Sequence, residues 1–302
     1  MRFFKKTNID FLKYRRMMYV ISSAVILVGF VSLFIKGIDF GIDFRGGTEI
    51  VLSFDTPPSI EEIRSALRTV GLSQSEIKSF GTATDVLIRT VEQTEGISDR
   101  IKEALQAAFP AKRFQVLKEY RIFPRISEEL RRDALYAVIA SLIVILVYVA
   151  FRFKFIYGVG AVVALFHDVL VALSVLSLVD GVFPFLNVEI TQEVVAAFLT
   201  LVGISVNDTV VVFDRVRENL KIYRTMPLYE VLNKSLNDTL SRTIITQGTV
   251  LLVLLTLLLV GGEVTRGFAF TLTVGTIAGT YSSIYIASAI VLDWNLRQKK
   301  VN

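Results

Sequence analysis

The sequence predicts a polytopic α-helical membrane protein: a six-helix transmembrane bundle with an extracytoplasmic α+β domain of ferredoxin-like βαββαβ order between its first and second helices. Three observations carry this. Hydrophobic residues make up 53% of the 302, and the mean hydropathy is +0.57, far above a soluble domain. Six apolar stretches are long enough to cross ~30 Å of hydrocarbon. The one long polar interval, 36–133, carries the mixed periodicities of a folded domain.

The N-terminus, 1–16, holds Arg2, Lys5, Lys6, Lys13, Arg15 and Arg16 ahead of the first span, 17–35. That span is too long for a signal-peptide core, and "FIKGIDFGIDF" after it has no small-residue cleavage pattern, so it reads as an uncleaved anchor. The remaining spans are 134–151, 155–179, 194–213, 243–262 and 268–292, followed by a tail, 293–302. The third, fourth and fifth contain polar residues and are expected to line an interior.

Orientation follows the cations. The N-terminus, "RFKF" (Arg152, Lys154), the 214–242 loop and the "RQKK" tail are all basic, which places both termini in the cytoplasm and domain 36–133 on the far side of the membrane. Residues 180–193 hold no cation, and 261–267 only Arg266. Arg131 and Arg132 run against the rule, within a loop of nearly a hundred residues where it weakens. The pI of 9.3 then reports topology and excludes nucleic acid as the expected partner. With no cysteine, the outer domain holds by packing alone, and thiolate chemistry is excluded.

Within the domain, "TEIVLSF" alternates as a strand. "SIEEIRSALRTVG" places Ile60, Ile63, Leu67 and Val70 at helical spacing, with Ser59 as N-cap beside Glu62 and Gly71 as stop. "EIKSFGT" and "DVLIRTV" read as two strands joined by a turn. "SDRIKEALQAAFP" is a helix capped by Ser98 and ended before Pro110, and "RFQVLKEYRIF" is the last strand. This order is the split βαβ arrangement. It contains no His, Cys, phosphate loop or nucleophile–base pair, so the expectation is a binding or mechanical domain and no enzyme. The repeated Gly-Ile-Asp-Phe at its start leads to Gly46–Gly47, which let the chain turn into the strand.

The membrane spans carry the chemistry. In "GISVNDTVVVFDR", Asp208 lies six residues inside the end of the fourth span, ~9 Å deep. Burial opposes its ionised form, and a neighbouring cation favours it. Arg242, in "TLSRTIITQGT" at the start of the fifth span, reaches similar depth on a long stem. Asp208 and Arg242 are therefore expected partners, either a proton-switchable ion pair or a permanent structural one. Asn207 and Thr209 adjoin the acid. Thr246 and Thr249 follow Arg242 at turn spacing, and Thr273, Thr276 and Thr280 do the same on the sixth span. These hydroxyls carry protons or simply pack helices. Gly275 and Gly279 form a GxxxG spacing, read as close packing. His167–Asp168 lies mid-span, ~18 Å from the inner end of the third. It is either a relay toward Asp208 or an interhelical hydrogen bond. In the 214–242 loop, helical in pattern, Asp214, Arg217 and Lys221 suggest a solvated face or docking surface.

"GIDFRGGTEI", "GISVNDTVVVFDRVREN", "TLSRTIIT", "GFAFTLTVGTIAGTYSSIYIAS" and "ALFHDVLVAL" together resemble the SecF branch of the SecD/SecF protein-export family, within the resistance–nodulation–division (RND) superfamily of proton-driven transporters. The resemblance runs along nearly the whole chain and implies an RND-like bundle. It implies that Asp208 and Arg242 match the family's charged residues tied to proton use, with protons as the coupling ion and no other cofactor. It implies SecD as partner, completing twelve helices, and work with the SecYEG channel, functionally SecA, and YajC as a further candidate. An unfolded translocating polypeptide is then the substrate and membrane lipid the surroundings. One departure is "RIFPRISEEL", where relatives show Gly-Pro followed by Val-Gly; Phe123 and Ser127 stand at the glycine positions and bear on the flexibility of the joint.

The expected function is a proton-motive-force-coupled accessory subunit of the Sec translocase. The alternatives are a structural assembly factor without proton coupling, half of a small-molecule exporter, whose relatives carry far larger outer domains, and an intramembrane aspartyl protease, which needs a second motif carboxylate that "VND" does not supply.

Overall fold

The structure, a computed structural model, describes residues 7–92, 94–180, 182 and 188–301. Arg2, Lys5, Lys6, Gly181 and residues 183–187, all used in the orientation argument, lie outside them, as does Asn302. In chain order the elements are α1 (Arg15–Lys36), α2 (Ile42–Arg45), β1 (Gly47–Phe54), α3 (Ile60–Thr69), β2 (Glu76–Phe80), β3 (Thr82–Thr90), α4 (Ile97–Ala108) and β4 (Phe114–Ile122). Then come α5 (Pro124–Arg152), α6 (Phe155–Val179), α7 (Gln192–Ile222), α8 (Leu228–Val260), α9 (Glu263–Ser282), a π-turn (Ser283–Ala287) and α10 (Ser288–Val301). Among the described residues, six helices are long and apolar enough to cross a membrane, the sixth joining α9, the π-turn and α10 over Thr265–Gln298.

The chain divides into two compact units: Met1–Ile38, Ala137–Asp180 and Glu193–Asn302 form one, and Asp39–Tyr136 with Gly181–Gln192 the other. The second unit holds an antiparallel sheet of order β2-β3-β1-β4. With α3 and α4 as its crossovers, this is the ferredoxin-like arrangement. Alternation along β1 sends Ile50, Leu52 and Phe54 into a core with Ile63, Leu67, Ile88, Ile97, Ile101 and Leu105. Gly71 ends α3 at φ +84°, with the Leu72 N–H donating to the Leu67 carbonyl at 2.9 Å and the Gly71 N–H to Arg68 at 3.2 Å. That is a Schellman stop, and the Leu67–Leu72 pair supplies its hydrophobic contact.

Two caps differ from expectation. Ser59 stands at the N-cap of α3, but its hydroxyl makes no capping hydrogen bond. Ser98 is not a cap: Gly96, in the left-handed region, precedes α4, and Ser98 falls inside the first turn, where its hydroxyl is buried without a partner. The left-handed glycine starts the helix two residues earlier than the Ser-first pattern implied. At the joint near residue 123, α5 begins at Pro124 and runs unbroken to Arg152, with the Ser127 N–H donating to the Phe123 carbonyl at 3.1 Å. Proline suits a first helical position because its missing N–H has no partner there.

The opposite face of the sheet carries a buried ionic network. Arg89 on β3 is 7% exposed and bonds Glu49 on β1 at 2.8 Å and Glu189 of the α6–α7 connector at 2.7 Å. Lys78 on β2 bonds Glu76 at 2.5 Å, Glu189 at 3.0 Å and Asp39 at 3.6 Å. Asp39, Glu76 and Glu189 converge as metal ligands do, but the Lys78 ammonium already supplies the cation. Burial alone pushes the Glu189 carboxyl up, yet Arg89 and Lys78 outweigh it and hold it below the usual carboxylate range. For Asp39, burial and the Glu189 charge win and push it up.

In the helical unit, α6 is central. Its inward positions are small, Gly160, Ala161, Ala164, Ala172 and Ser174 among them, which lets neighbours approach closely. A side chain at Gly29 of α1 would collide with Ser174, and one at Gly160 with the Ala287 carbonyl. By contrast α5 leaves Ile143, Val144, Val147 and Phe151 exposed, as a lipid-facing helix does. The 214–242 segment is helix at both ends, α7 and α8 meeting at a turn over 223–227. Asp214 pairs with Arg152 at 2.7 Å, and Arg215 with Asp238 at 2.9 Å and Glu218 at 2.7 Å. Asp214 thus takes Arg152 as its partner, and no ion pair forms within the Asp214–Arg217–Lys221 run itself.

Gly47→Val is expected to destabilise the α+β unit by about 1–3 kcal/mol, because Gly47 holds φ +130° and a Cβ there meets the Thr90 carbonyl; thermal melting of the detergent-solubilised protein measures it. Glu189, held low in the folded state, contributes stability that is present above ~4.3, its ordinary unfolded value, and is lost as pH falls through the folded value. Protease protection of the α+β unit is expected to decline on that acid limb, and less steeply in Glu189→Gln.

Candidate functional site

Two buried carboxyls lie in the helical unit, and their hydrogen bonding differs in kind. Asp168 on α6 is fully buried. Its Oδ2 accepts from Ser282 of α9 at 2.9 Å and from Ser205 of α7, and its Oδ1 faces His167 Nδ1 at 3.0 Å. His167 Nε2 lies 2.9 Å from Ser22 Oγ of α1, which also meets the Tyr281 hydroxyl. Tyr281 donates in turn toward the Met18 carbonyl at 3.1 Å. With the ring proton on Nδ1, Nδ1–H donates to the carboxylate and Ser22 donates to Nε2, so the single Tyr281 proton serves either Ser22 or the Met18 carbonyl. Three donors from three helices saturate Asp168. A π-helical turn, Ser283–Ala287, follows Ser282 directly.

Asp208 on α7 is 3% exposed. Its Oδ1 accepts only from Thr243 of α8 at 3.5 Å, the outer edge of a hydrogen bond. Among the described residues its Oδ2 has no hydrogen-bond partner. Gln247, also buried, lies beside it, and Gln247 Oε1 and the neighbouring Thr209 hydroxyl are likewise unpartnered. This carboxyl is enclosed but not saturated.

The structure places the other expected residues differently. Arg242 makes no ion pair with Asp208. Its side chain is exposed, close enough for its charge to act on the acid without contact. The reason is helical phase: Thr243, ~100° further round α8, takes the facing position, and Gln247 follows at i+4. Thr246 and Thr249 are exposed, and their hydroxyls donate to the Arg242 and Thr246 carbonyls of their own helix at 2.9 and 2.8 Å. Asn207 is exposed, away from the carboxyl it adjoins in sequence. On α9, Thr273 and Thr280 donate to carbonyls one turn back at 2.7 and 2.8 Å, while the Thr276 hydroxyl is buried without a partner. These hydroxyls form no continuous file. Gly275 and Gly279 are close-packing positions, facing Leu201 and Ser205.

Sequence reasoning missed Ser22, Ser205, Tyr281 and Ser282 around Asp168, and Thr243 and Gln247 beside Asp208. Ser205 was within reach, three residues before Asp208 and so on its face of α7. Gln247 stood four residues after Thr243 for the same reason. Ser22 and Ser282 carry no such local signal.

With this geometry in place, the chain can be compared with known proteins. Residues 100–297 match the family described as "Protein export membrane protein SecD/SecF, C-terminal", and residues 31–58 match the "SecD/SecF GG Motif". The chain belongs to the SecD/SecF family. A protein translocase subunit SecF from Rhodothermus marinus is 46% identical over 98% of this chain and 96% of the relative. Another, from Desulfurispirillum indicum, is 41% identical over 96% and 92%. The crystal structure of SecDF, a translocon-associated membrane protein from Thermus thermophilus, superposes with a TM-score of 0.85 at 36% identity. The match covers 96% of this chain and 39% of that one. A second SecDF structure, in a super-membrane-facing form, gives 0.71 at 35% identity, covering 99% and 40%. The chain thus spans about two fifths of those solved chains. The family's paired glycines are Gly46 and Gly47, whose positive φ turns α2 into β1.

His167→Ala is expected to leave Ser22 and Asp168 each short of a partner and to cost about 1–3 kcal/mol. A lower melting temperature in detergent, with the fold retained, is the measurement.

Proposed function

We propose that this chain is the SecF half of a SecD–SecF assembly that uses the proton-motive force to assist Sec-dependent protein translocation across the bacterial cytoplasmic membrane. The observation that carries the reading is Asp208: a carboxyl enclosed among membrane helices with one oxygen unpartnered and a cation close by but not bound to it. The charge state of such a group follows what faces it. A cation brought alongside favours the carboxylate, and its withdrawal favours proton uptake. Each proton crossing 100 mV releases about 2.3 kcal/mol, enough to bias a two-state motion.

SecD as partner is supported twice over. The solved SecDF chains extend well beyond the part this chain matches. The helical unit also exposes Asn207, Arg242 and Thr246 on membrane helices, polar groups that hydrocarbon does not tolerate and a second bundle would cover. In this reading both termini are cytoplasmic and the α+β unit faces outward. There it assists an unfolded polypeptide delivered by SecYEG and SecA, with YajC as an accessory. The coupling ion is the proton. Asp168, saturated by its donors, serves packing, and Thr209 and Thr243 shape the Asp208 pocket.

Asp208→Asn and Arg242→Met are each expected to abolish proton-motive-force-stimulated export without lowering membrane abundance. Export from inverted vesicles, with and without a proton gradient, measures this. Normal stimulation in both variants would return the chain to a scaffold of the translocase.

A further inference from the structure

The ionic network on the sheet contains a residue that does not belong to the sheet. Glu189 lies three residues before the start of α7, in the connector from α6, and is 2% exposed. Backbone bonds surround it. The Ile190 N–H donates to the Asp39 carbonyl at 2.8 Å, and the Gly41 N–H to the Ile190 carbonyl at 3.0 Å, so that Phe40 and Ile190 form a parallel bridge. The Gln192 N–H donates to Asp43 Oδ2 at 3.2 Å. The connector is thus stitched along the Gly-Ile-Asp-Phe repeat, and Glu189 is driven into the face of the sheet.

We propose that Arg89 and Glu189 are positioning residues of the transport cycle, their ion pair holding the connector on the sheet so that movement of the α+β unit is delivered to the first turn of α7, the helix that carries Asp208. The inference rests on the proton-coupled reading for its purpose, though its mechanics do not.

The chemistry of the pair supports a fixed joint. Every charged group around it is matched: Glu49, Glu76, Asp39 and Glu189 face Arg89, Lys78, Lys118 and Arg45. Arg89 reaches Glu49 through Nε and Nη2 and Glu189 through Nη1, so its planar fork fixes direction as well as distance. A connector needing only to be covered would be held as well by apolar residues; a guanidinium bonded to three carboxylates, Glu49, Glu189 and Glu76, specifies one register. The neighbouring charges also keep the pair ionised, with Lys78 and Arg89 both held above their ordinary values by these acids against the opposing effect of burial.

The test uses the full chain with its partner in membranes. Glu189→Gln keeps the shape and removes the charge, and is expected to lower gradient-stimulated export about tenfold, the scale of an intersite coupling, at unchanged abundance. The natural chain has no cysteine, so Phe40→Cys with Ile190→Cys introduces a single disulfide at the parallel bridge. Oxidised, that link is expected to leave export intact in the otherwise unaltered protein and to restore it in Glu189→Gln, with the restoration reversed by reductant. Normal export by Glu189→Gln, arrest of export by the oxidised link alone, or failure of the link to rescue would each overturn the proposal. Arrest in particular would mean that the connector must release. If Asp208→Asn exports normally while Glu189→Gln fails and is rescued, the proton reading falls and the joint stands.

Discussion

Removing a carboxylate from water without replacing its hydrogen bonds costs several kcal/mol, and this single constraint organises the molecule. It is met in three ways. Asp168 is saturated by Ser205, Ser282 and His167, and those donors tie α6, α7 and α9 together while Ser22 adds α1. Glu189 is matched by two cations on a water-facing domain. Asp208 has one weak donor and one oxygen without any. A satisfied buried acid fixes structure; an unsatisfied one leaves its protonation open to whatever conformation presents.

The helical unit is built to hold that difference. Small residues on α6 and glycines on α1 and α9 bring backbones close enough for short polar side chains to bridge between helices. Around this interior, α5 presents aliphatic side chains outward, while α7 and α8 also show polar ones. That unequal exterior is the mark of a unit that meets lipid on one part of its surface and protein on another.

Much of the fold was legible because local rules governed it. The βαββαβ order followed from periodicity, and the stop at Gly71 from its need for a positive φ. Six spans followed from length and hydropathy. Where expectation failed, helical phase or an unseen neighbour decided. Ser98 gave way to Gly96 as the start of α4. Asn207 turned outward although Asp208, its neighbour, turned in. Thr246 looked like the companion of Arg242, but Thr243 holds the position facing the acid.

By itself the sequence determined the class of protein, the order of its main elements and the two acids inside the membrane spans, Asp168 and Asp208, since each of these is set by composition, spacing and backbone preference along the chain. Only the tertiary structure decided which acid is saturated and which is open, that Arg242 stands off from Asp208, and that Glu189 reaches Arg89 a hundred residues away. Those outcomes depend on which donors other helices and strands deliver within about 3 Å, and nothing in the local chemistry of a chain records what distant segments will bring to it.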